Sequence, residues 1–221
     1  MALAIYQPNA VIGDFKETKR TFVLEGAAMT RPINITVQQN WDSIGVAGVV
    51  WEAAVVLATF LLRGGFVENK RVLELGAGTG VPSIAAAHAG ASKVLATDIG
   101  PVLSQLKQNI LNNMPPGKQN IIEISELDWM KLSDSKVFGD DFDLVIGADL
   151  VYDKERFDPL RRVLCHFDKA QIILAAKIRY PKDSDFFSLL NNDFRVDVLH
   201  RDDLSDVIVY RLERFGRSEE L

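Results

Sequence analysis

A glycine-rich segment, followed one predicted strand later by a lone acid, is the strongest chemical signal in the sequence. The segment spans residues 72–80 and reads VLELGAGTG. It follows a predicted strand and opens a predicted helix, and glycines in that position let the backbone turn sharply and let a ligand approach closely. Asp98 ends the next predicted strand, where a carboxylate can accept hydrogen bonds from both hydroxyls of a ribose. The loop and the acid together predict a nucleoside-containing cofactor at the carboxyl ends of the strands.

The spacing of the glycines narrows the class of cofactor. Gly76, Gly78 and Gly80 give the order G-x-G-x-G, whereas dinucleotide-binding loops have G-x-G-x-x-G and phosphate-binding P-loops end in Lys-Ser/Thr. Glu74 lies two residues before the first glycine. A carboxylate at this position repels a pyrophosphate but suits a cationic amino-acid group. The string E-x-G-x-G-x-G resembles the first motif of class I S-adenosylmethionine-dependent methyltransferases. A turn that only packs a helix against a strand is the alternative interpretation.

The elements around this loop follow the order of an α/β fold. Predicted strands alternate with predicted helices, which indicates parallel βαβ units. The runs VLEL, VLAT, LVIG and IILA are continuously apolar, as burial on both faces of a sheet requires. The last two strands have no helix between them, so the sequence predicts a doubly wound sheet that ends in an antiparallel hairpin. The predicted strands cover residues 21–24, 33–37, 71–75, 93–97, 121–124, 142–146, 172–176, 195–199 and 207–212, and the predicted helices residues 49–62, 81–89, 101–112, 154–167 and 184–191.

Further segments resemble one methyltransferase family over nearly the whole chain. Residues 149–152, DLVY, match the D-x-x-Y motif of the seven-strand protein-lysine methyltransferases, and residues 40–41 with 45–51 match an N-terminal signature. Residues 113–116 (NMPP), 127–129 (LDW) and 177–180 (KIRY) extend the match. The sequence is similar to the methyltransferase-like 21 family, most of all to the member that methylates a lysine of heat-shock protein 70 chaperones.

The resemblance implies a fold, an activity and a partner. The fold is a class I, Rossmann-like α/β sheet of seven strands, mostly parallel, with an antiparallel C-terminal hairpin. Residues 1–40 form an N-terminal cover, and residues 41–221 form the methyltransferase domain. The activity is protein-lysine N-methylation with S-adenosyl-L-methionine, which leaves S-adenosyl-L-homocysteine, and the protein substrate is a folded chaperone of the heat-shock protein 70 type. Residues 1–35 and the acids of the C-terminal hairpin, in the run 201–206, match the family least, and we expect these regions to influence the choice of substrate.

The resemblance also assigns roles to individual residues. Those assigned to the cofactor are Trp51, Gly76, Ala77, Gly78, Asp98, Trp129 and Ala148. The catalytic residues are Asp149, which would orient the target amine, and Tyr152, which would form a wall of its channel. Of these residues, chemistry alone supports Gly78 and Asp98. It supports Trp51 and Trp129 less, because a tryptophan belongs more often to a core than to a binding site. An Asp that only caps a helix is the alternative for Asp149.

Composition limits the partners and the compartment. The 221 residues carry a net charge of -5 with a pI of about 5.3, so a basic surface for a phosphate backbone is lacking and we expect no nucleic-acid partner. The single cysteine, Cys165, excludes an internal disulfide, and with three scattered histidines it gives no metal-ligand spacing. Residues 45–62 are apolar but contain Glu52, which favours a buried helix over a membrane span. We expect a metal-free monomer with no membrane partner, in the cytoplasm or also the nucleus.

Three other functions are weighed against protein-lysine methylation. Enzymes that methylate base amines carry Asp/Asn-Pro-Pro-Tyr at the same strand end, where this chain has Leu150 and Val151 between the acid and the tyrosine. A non-catalytic module that only binds a chaperone would not need the intact glycine loop and Asp98. A nicotinamide oxidoreductase is disfavoured by the spacing of the glycines.

Overall fold

Nine strands and six α-helices form the described part of the chain, residues 14–26, 31–131 and 141–215 of a computed structural model. The strands are β1 (Lys19–Leu24), β2 (Ile33–Gln38), β3 (Arg71–Leu75), β4 (Lys93–Asp98), β5 (Ile122–Glu126), β6 (Leu144–Ala148), β7 (Gln171–Lys177), β8 (Phe194–Asp202) and β9 (Val207–Arg214). The helices are α1 (Trp41–Ile44), α2 (Glu52–Leu62), α3 (Val81–His88), α4 (Leu103–Asn113), α5 (Phe157–His166) and α6 (Pro181–Leu190).

Seven of the strands form one sheet in the order β5-β4-β3-β6-β7-β9-β8. The first five strands in that order are parallel, whereas β9 pairs antiparallel with both β7 and β8. Strands β3, β4, β6 and β7 are buried almost throughout, because helices cover both faces of the sheet. The predicted class I sheet, mostly parallel with an antiparallel C-terminal hairpin, is confirmed.

The sheet reverses its strand order between β3 and β6. From β3 the chain adds β4 and β5 on one side, and it then returns to add β6 and β7 on the other. At such a reversal a crevice opens outside the carboxyl ends of the two strands, which is where open α/β sheets bind ligands. The fold therefore brings the glycine loop after β3 and the segment after β6 to the same crevice.

Two apolar cores, one on each face of the sheet, hold the helices in place. Helices α2, α3 and α4 pack on one face, with Leu57, Ile84 and Leu106 fully buried. Helices α5 and α6 pack on the other face, where Leu160 and Phe186 are fully buried. Burying a side chain of this kind contributes about 1.5–3 kcal/mol relative to its exposure. These layers fix the positions of the strand ends that surround the crevice.

A separate antiparallel hairpin, β1 with β2, is attached to the fold by two asparagines of α4. Oδ1 of Asn113 accepts the backbone N–H of Thr36 at 2.7 Å, and Oδ1 of Asn109 accepts that of Gln38 at 2.7 Å. The described part of the predicted N-terminal cover therefore packs against the helical layer of the sheet. A domain boundary at residue 40 stays a prediction.

The apolar helix predicted over residues 49–62 begins later, at Glu52. The preceding residues form α1 and a short 3-10 turn, Gly45–Gly48, because Gly45 adopts φ 73° and ends the α-helical hydrogen bonding. Among the described residues no single helix is long and apolar enough to cross a membrane, while the bent pair Trp41–Gly48 and Glu52–Leu62 (51°) passes by length and composition alone. The late start leaves residues 49–51 outside α2, and Val49 and Trp51 of this segment line the crevice.

Helix α6 begins earlier than the predicted residues 184–191, at Pro181. The carboxylate of Asp183 accepts the backbone N–H groups of Arg179 and Tyr180 at 3.0 and 2.9 Å, so it satisfies donors at the helix start. Proline followed by an acid in the first turn is a helix-start signal that the prediction missed. Each of the other predicted strands and helices overlaps an element of the structure. The helices predicted over residues 101–112 and 154–167 each begin as a 3-10 turn, Gly100–Val102 and Lys154–Arg156, before α4 and α5 start.

Candidate active site

A cavity of about 510 Å³ opens at the carboxyl ends of β3, β4 and β6. Small-molecule sites usually measure about 300–1,000 Å³. The cavity is lined by all nine residues that the resemblance assigns to the site: Trp51, Gly76, Ala77, Gly78, Asp98, Trp129, Ala148, Asp149 and Tyr152. The fold thus brings these residues together from distant parts of the chain, while their individual roles stay predictions.

The loop after β3 needs glycine at two positions that line the cavity. Gly76 and Gly78 have φ 60° and 53°, in the left-handed region that glycine enters without steric penalty. A Cβ on Gly76 would lie 2.7 Å from Cδ2 of Leu150, and a Cβ on Gly78 would lie 3.1 Å from the backbone oxygen of Ala47. At both positions the left-handed backbone and the close packing of neighbouring protein atoms therefore require glycine.

Asp98, the last residue of β4, is fixed at the cavity wall by two backbone donors. Its Oδ2 accepts the N–H of Gly78 at 2.8 Å, and its Oδ1 accepts the N–H of Ile99 at 2.8 Å. Burial raises the pKa of the Asp98 carboxyl above its usual value, and the two hydrogen bonds act in the opposite direction. Each oxygen keeps a further lone pair. The carboxylate can therefore accept the two hydroxyls of a ribose, as the sequence predicts.

Glu74 of β3 is a second, more deeply buried acid on the cavity wall. It is 1% exposed and accepts a hydrogen bond from the Ser83 hydroxyl of α3. Burial raises the pKa of Glu74 from 4.5 to about 8, although the hydrogen bonds from Ser83 lower it. Its carboxyl group is therefore mainly protonated at pH 7, and a cation brought into the cavity would favour the ionised form.

Two tryptophans form flat apolar walls. Trp129 is 9% exposed, its ring atoms lie 3.4 and 3.5 Å from where a Cβ on Gly76 would be, and its indole N–H has no hydrogen-bond partner among the described residues. The indole N–H of Trp51 donates to the carbonyl of Val46 at 2.8 Å, and Phe15 packs on this indole with ring centroids 4.9 Å apart. Faces of this kind suit a purine ring and shield a site from water.

Asp149 follows β6 in an unusual backbone conformation with φ 55°, which for a non-glycine residue often marks a functional site. Its backbone N–H donates to the carbonyl of Ala175 at 2.8 Å. Its carboxylate, in a side chain 5% exposed, accepts two hydrogen bonds from Arg179, at 2.8 and 2.7 Å. The residue that caps the next helical turn is Asp153, which accepts the N–H of Glu155, so the helix-cap interpretation of Asp149 is wrong.

Tyr152 lies at the mouth of the cavity and is 44% exposed. Nζ of Lys182 donates to its backbone carbonyl at 2.8 Å, which holds this part of the chain against α6. Partial burial raises the pKa of the Tyr152 phenol above its usual value, so the ring stays neutral near pH 7. A neutral ring here can contact the stem or the charge of a cationic side chain.

Two arginines at the cavity were missed by the sequence prediction. Arg179 pairs with Asp149, and Nε of Arg156 lies 3.2 Å from Oδ2 of Asp153. Arg179 follows the end of β7, and the carboxyl ends of neighbouring parallel strands meet at one edge of a sheet. A cation at that place was a readable signal, but its pairing with Asp149 depends on β6 and β7 being neighbours.

The lining fits S-adenosylmethionine in chemical type. Asp98 has lone pairs for a ribose, Glu74 can stabilise the cationic amino-acid part, and Trp129 offers a face for the adenine. Gly76 and Gly78 line the cavity without side chains, so a ligand can approach their backbone closely. In residues 14–26, 31–131 and 141–215 no group of three or more His, Cys, Asp or Glu side chains is placed to hold a metal ion.

Sequence comparison places the chain among lysine methyltransferases. The model of the lysine methyltransferase family matches residues 30–193. The chain is 38% identical to Protein N-lysine methyltransferase METTL21A of Danio rerio and 38% identical to that of Mus musculus, over 100% of both chains in each case. It is 36% identical to EEF1A lysine methyltransferase 3 of Mus musculus, over 80% of this chain and 77% of the relative.

Solved structures agree on the fold. A putative methyltransferase complexed with SAH superposes with a TM-score of 0.61 at 12% identity, over 88% of this chain and 56% of that one. A ribosomal protein L11 methylase of Lactobacillus delbrueckii subsp. bulgaricus gives a TM-score of 0.54 at 22% identity, over 76% of this chain and 81% of the other. The family match, the full-length relatives and the fold agree: the chain belongs to the lysine methyltransferase family, in its methyltransferase-like 21 group, and uses S-adenosylmethionine as methyl donor.

Proposed function

We propose that this protein-lysine N-methyltransferase acts on a lysine of a folded chaperone of the heat-shock protein 70 type. The observation that supports a protein lysine most directly is the lining of the cavity, which joins Asp98 and the glycine loop to Asp149 and to Tyr152, exposed at the mouth. A lysine side chain is long and unbranched, so it can reach inward from the surface of a folded partner. The chaperone is suggested by the resemblance to the methyltransferase-like 21 family.

The protein contributes binding and orientation of the donor. Bound S-adenosylmethionine supplies a methyl group on a sulfonium; the amine nitrogen forms the N–C bond as the C–S bond breaks with its electron pair going to sulfur. Asp98 would hold the ribose, and Glu74 would stabilise the cationic amino-acid group. Trp51 and Trp129 cover apolar parts and exclude water. Alignment of donor and acceptor removes much of the entropic barrier.

The acceptor must lose a proton before it can attack. A lysine ammonium has an ordinary pKa near 10.4, so deprotonation at pH 7 costs roughly 4.6 kcal/mol, at about 1.36 kcal/mol per pH unit. Water exclusion and a nearby positive charge both favour the neutral amine and reduce this cost. Asp149 can then accept a hydrogen bond that orients the amine, and the Tyr152 ring forms a wall beside the alkyl stem.

A second acceptor has support from a named relative. The similarity to EEF1A lysine methyltransferase 3 makes a lysine of EEF1A the alternative protein substrate. The test incubates the purified enzyme with radiolabelled S-adenosylmethionine and, in separate reactions, heat-shock protein 70, EEF1A and a whole-cell extract. Mass spectrometry then locates the label.

Label on a lysine of heat-shock protein 70 supports the proposal, and label on EEF1A alone transfers it to the alternative. Label in nucleic acid but in no protein removes both. Asp149→Asn serves as the inactive control, and Arg162→Gln, at an exposed ion pair with Asp158 on α5, as the active one. We also propose a monomer in the cytoplasm or nucleus, which sedimentation and imaging of the tagged protein would test.

A further inference from the structure

Arg179 contacts two of the predicted site residues at once, Asp149 and Trp51. Its Nη1 and Nη2 donate to both carboxylate oxygens of Asp149, at 2.8 and 2.7 Å. Its guanidinium carbon also lies 5.2 Å from the centroid of the Trp51 ring. A planar guanidinium can serve both partners at once, since its edge donates two parallel hydrogen bonds and its face packs on an aromatic ring.

The position of Arg179 is fixed by its surroundings. Its backbone N–H donates to the buried Asp183, which caps α6. Two residues before Arg179, Nζ of Lys177 lies 2.7 Å from Oε2 of the buried Glu52, which follows Trp51 in the chain. Burial lowers the pKa of the Arg179 guanidinium, but the hydrogen bonds and charge of Asp149, with Glu52 and Asp183, raise it overall. Arg179 therefore remains charged at any pH at which the enzyme works.

We propose that Arg179 is a positioning residue that holds the Asp149 carboxylate and the Trp51 indole in one arrangement, and that its charge favours the neutral form of the target amine. The proposal rests on the proposed function, because it assigns Asp149 to the acceptor and Trp51 to the donor. Arg179 does not accept the proton of the amine. It compensates the charge of Asp149, so that this acid orients the amine without holding it as an ammonium.

The consequence of removing the guanidinium has a defined sign. Without Arg179, a buried carboxylate is left uncompensated beside the entry of the lysine, and a nearby negative charge favours the protonated amine. The positive charge of Arg179 would also repel an ammonium that enters the cavity, and its loss removes this repulsion, which favours deprotonation. Both effects require a higher pH for the same fraction of neutral amine. The other charges near the cavity mouth, the Asp153–Arg156 pair and Lys182 beside Tyr152, remain in place.

The first experiment needs no protein substrate. The affinity of the full-length enzyme for S-adenosylhomocysteine is measured by calorimetry for wild type, Arg179→Gln and Arg179→Lys, with Arg162→Gln as control. Arg162 forms an exposed ion pair with Asp158 on α5, away from the cavity. Loss of the contact with Trp51 should weaken binding about two- to five-fold in Arg179→Gln. Arg179→Lys should recover only part of this, because an ammonium lacks the flat face. Unchanged affinity in Arg179→Gln would overturn the inference.

The second experiment measures the rate of methylation of heat-shock protein 70 from pH 6 to pH 9. We expect the acid limb of the Arg179→Gln profile to move to higher pH by about one unit, with Arg179→Lys between it and wild type. A purely structural loss would lower the rate equally at every pH and would overturn the inference. If wild-type enzyme labels neither candidate protein, the proposed function fails, and the calorimetric comparison still decides the role of Arg179.

Discussion

Replacement of Asp98 by asparagine tests the cofactor site most directly. The two carboxylate oxygens each accept a backbone N–H, from Gly78 and from Ile99, at 2.8 Å. Asparagine keeps one oxygen and puts an NH₂ group at the other position, so one backbone donor loses its partner and faces another donor. At the same time both ribose hydroxyls lose a charged acceptor. A hydrogen bond to a charged group contributes about 1.5–3 kcal/mol, against about 0.5–1.5 kcal/mol for a neutral one.

The expected loss is therefore about 2–4 kcal/mol, or roughly 30- to 1,000-fold in the Kd for S-adenosylhomocysteine. Calorimetry at fixed pH and salt measures it, and thermal unfolding of the cofactor-free protein checks that the fold is retained. Asp203→Asn removes the same charge from an exposed turn and should leave the Kd unchanged. If Asp98→Asn folds normally and binds within about three-fold of wild type, Asp98 does not hold the ribose.

Three further changes have defined outcomes. Asp149→Asn should lower turnover roughly 100-fold or more through lost orientation of the amine, with cofactor affinity retained; normal turnover in a radiolabel assay would contradict the assignment. Because the folded-state pKa of Glu74 is about 8 against 4.5, its contribution to stability is fully present below pH 4.5 and is lost as the pH rises through 8. Between pH 5 and 8 the free energy of unfolding of the cofactor-free wild type should therefore fall more steeply with pH than that of Glu74→Gln, by up to about 1.4 kcal/mol per pH unit. Urea denaturation measures both slopes, and equal slopes would show that Glu74 does not hold a proton in the folded state. Gly78→Ala should destabilise the fold by about 1–2 kcal/mol from its left-handed backbone alone, and an unfolding curve that matches wild type would show that the loop relaxes.

The cofactor end of the site was predictable because its signals are local in the chain. The strand β3, the glycine loop and α3 follow one another directly, and Asp98 ends the next strand. In a strand–loop–helix unit of this kind, glycines in the loop and an acid at the end of the next strand indicate a nucleotide-type ligand. The sheet could be predicted for a similar reason, since continuous apolar runs between helical segments require burial on both faces.

The helix ends were harder to predict because single side chains decide them. Val49 and Trp51 adopt extended backbone, so α2 begins only at Glu52, and Asp183 caps α6, which begins three positions before the predicted residue 184. In each case a backbone torsion or a single hydrogen bond decides where the helix begins, and the hydrophobic pattern of the sequence does not distinguish between the two starting points. The late start of α2 leaves Trp51 in extended backbone at the cavity.

By itself, the sequence determined the α/β sheet, the glycine loop with its acid, and the family of the enzyme. Only the tertiary structure decided that Arg179 pairs with Asp149 and packs on Trp51, and that Glu74 is buried deeply enough to hold a proton near pH 7. The physical reason is that ion pairing and desolvation depend on which groups the fold brings within a few ångströms and on how much water it removes. Neither quantity is a property of the neighbouring residues in the chain.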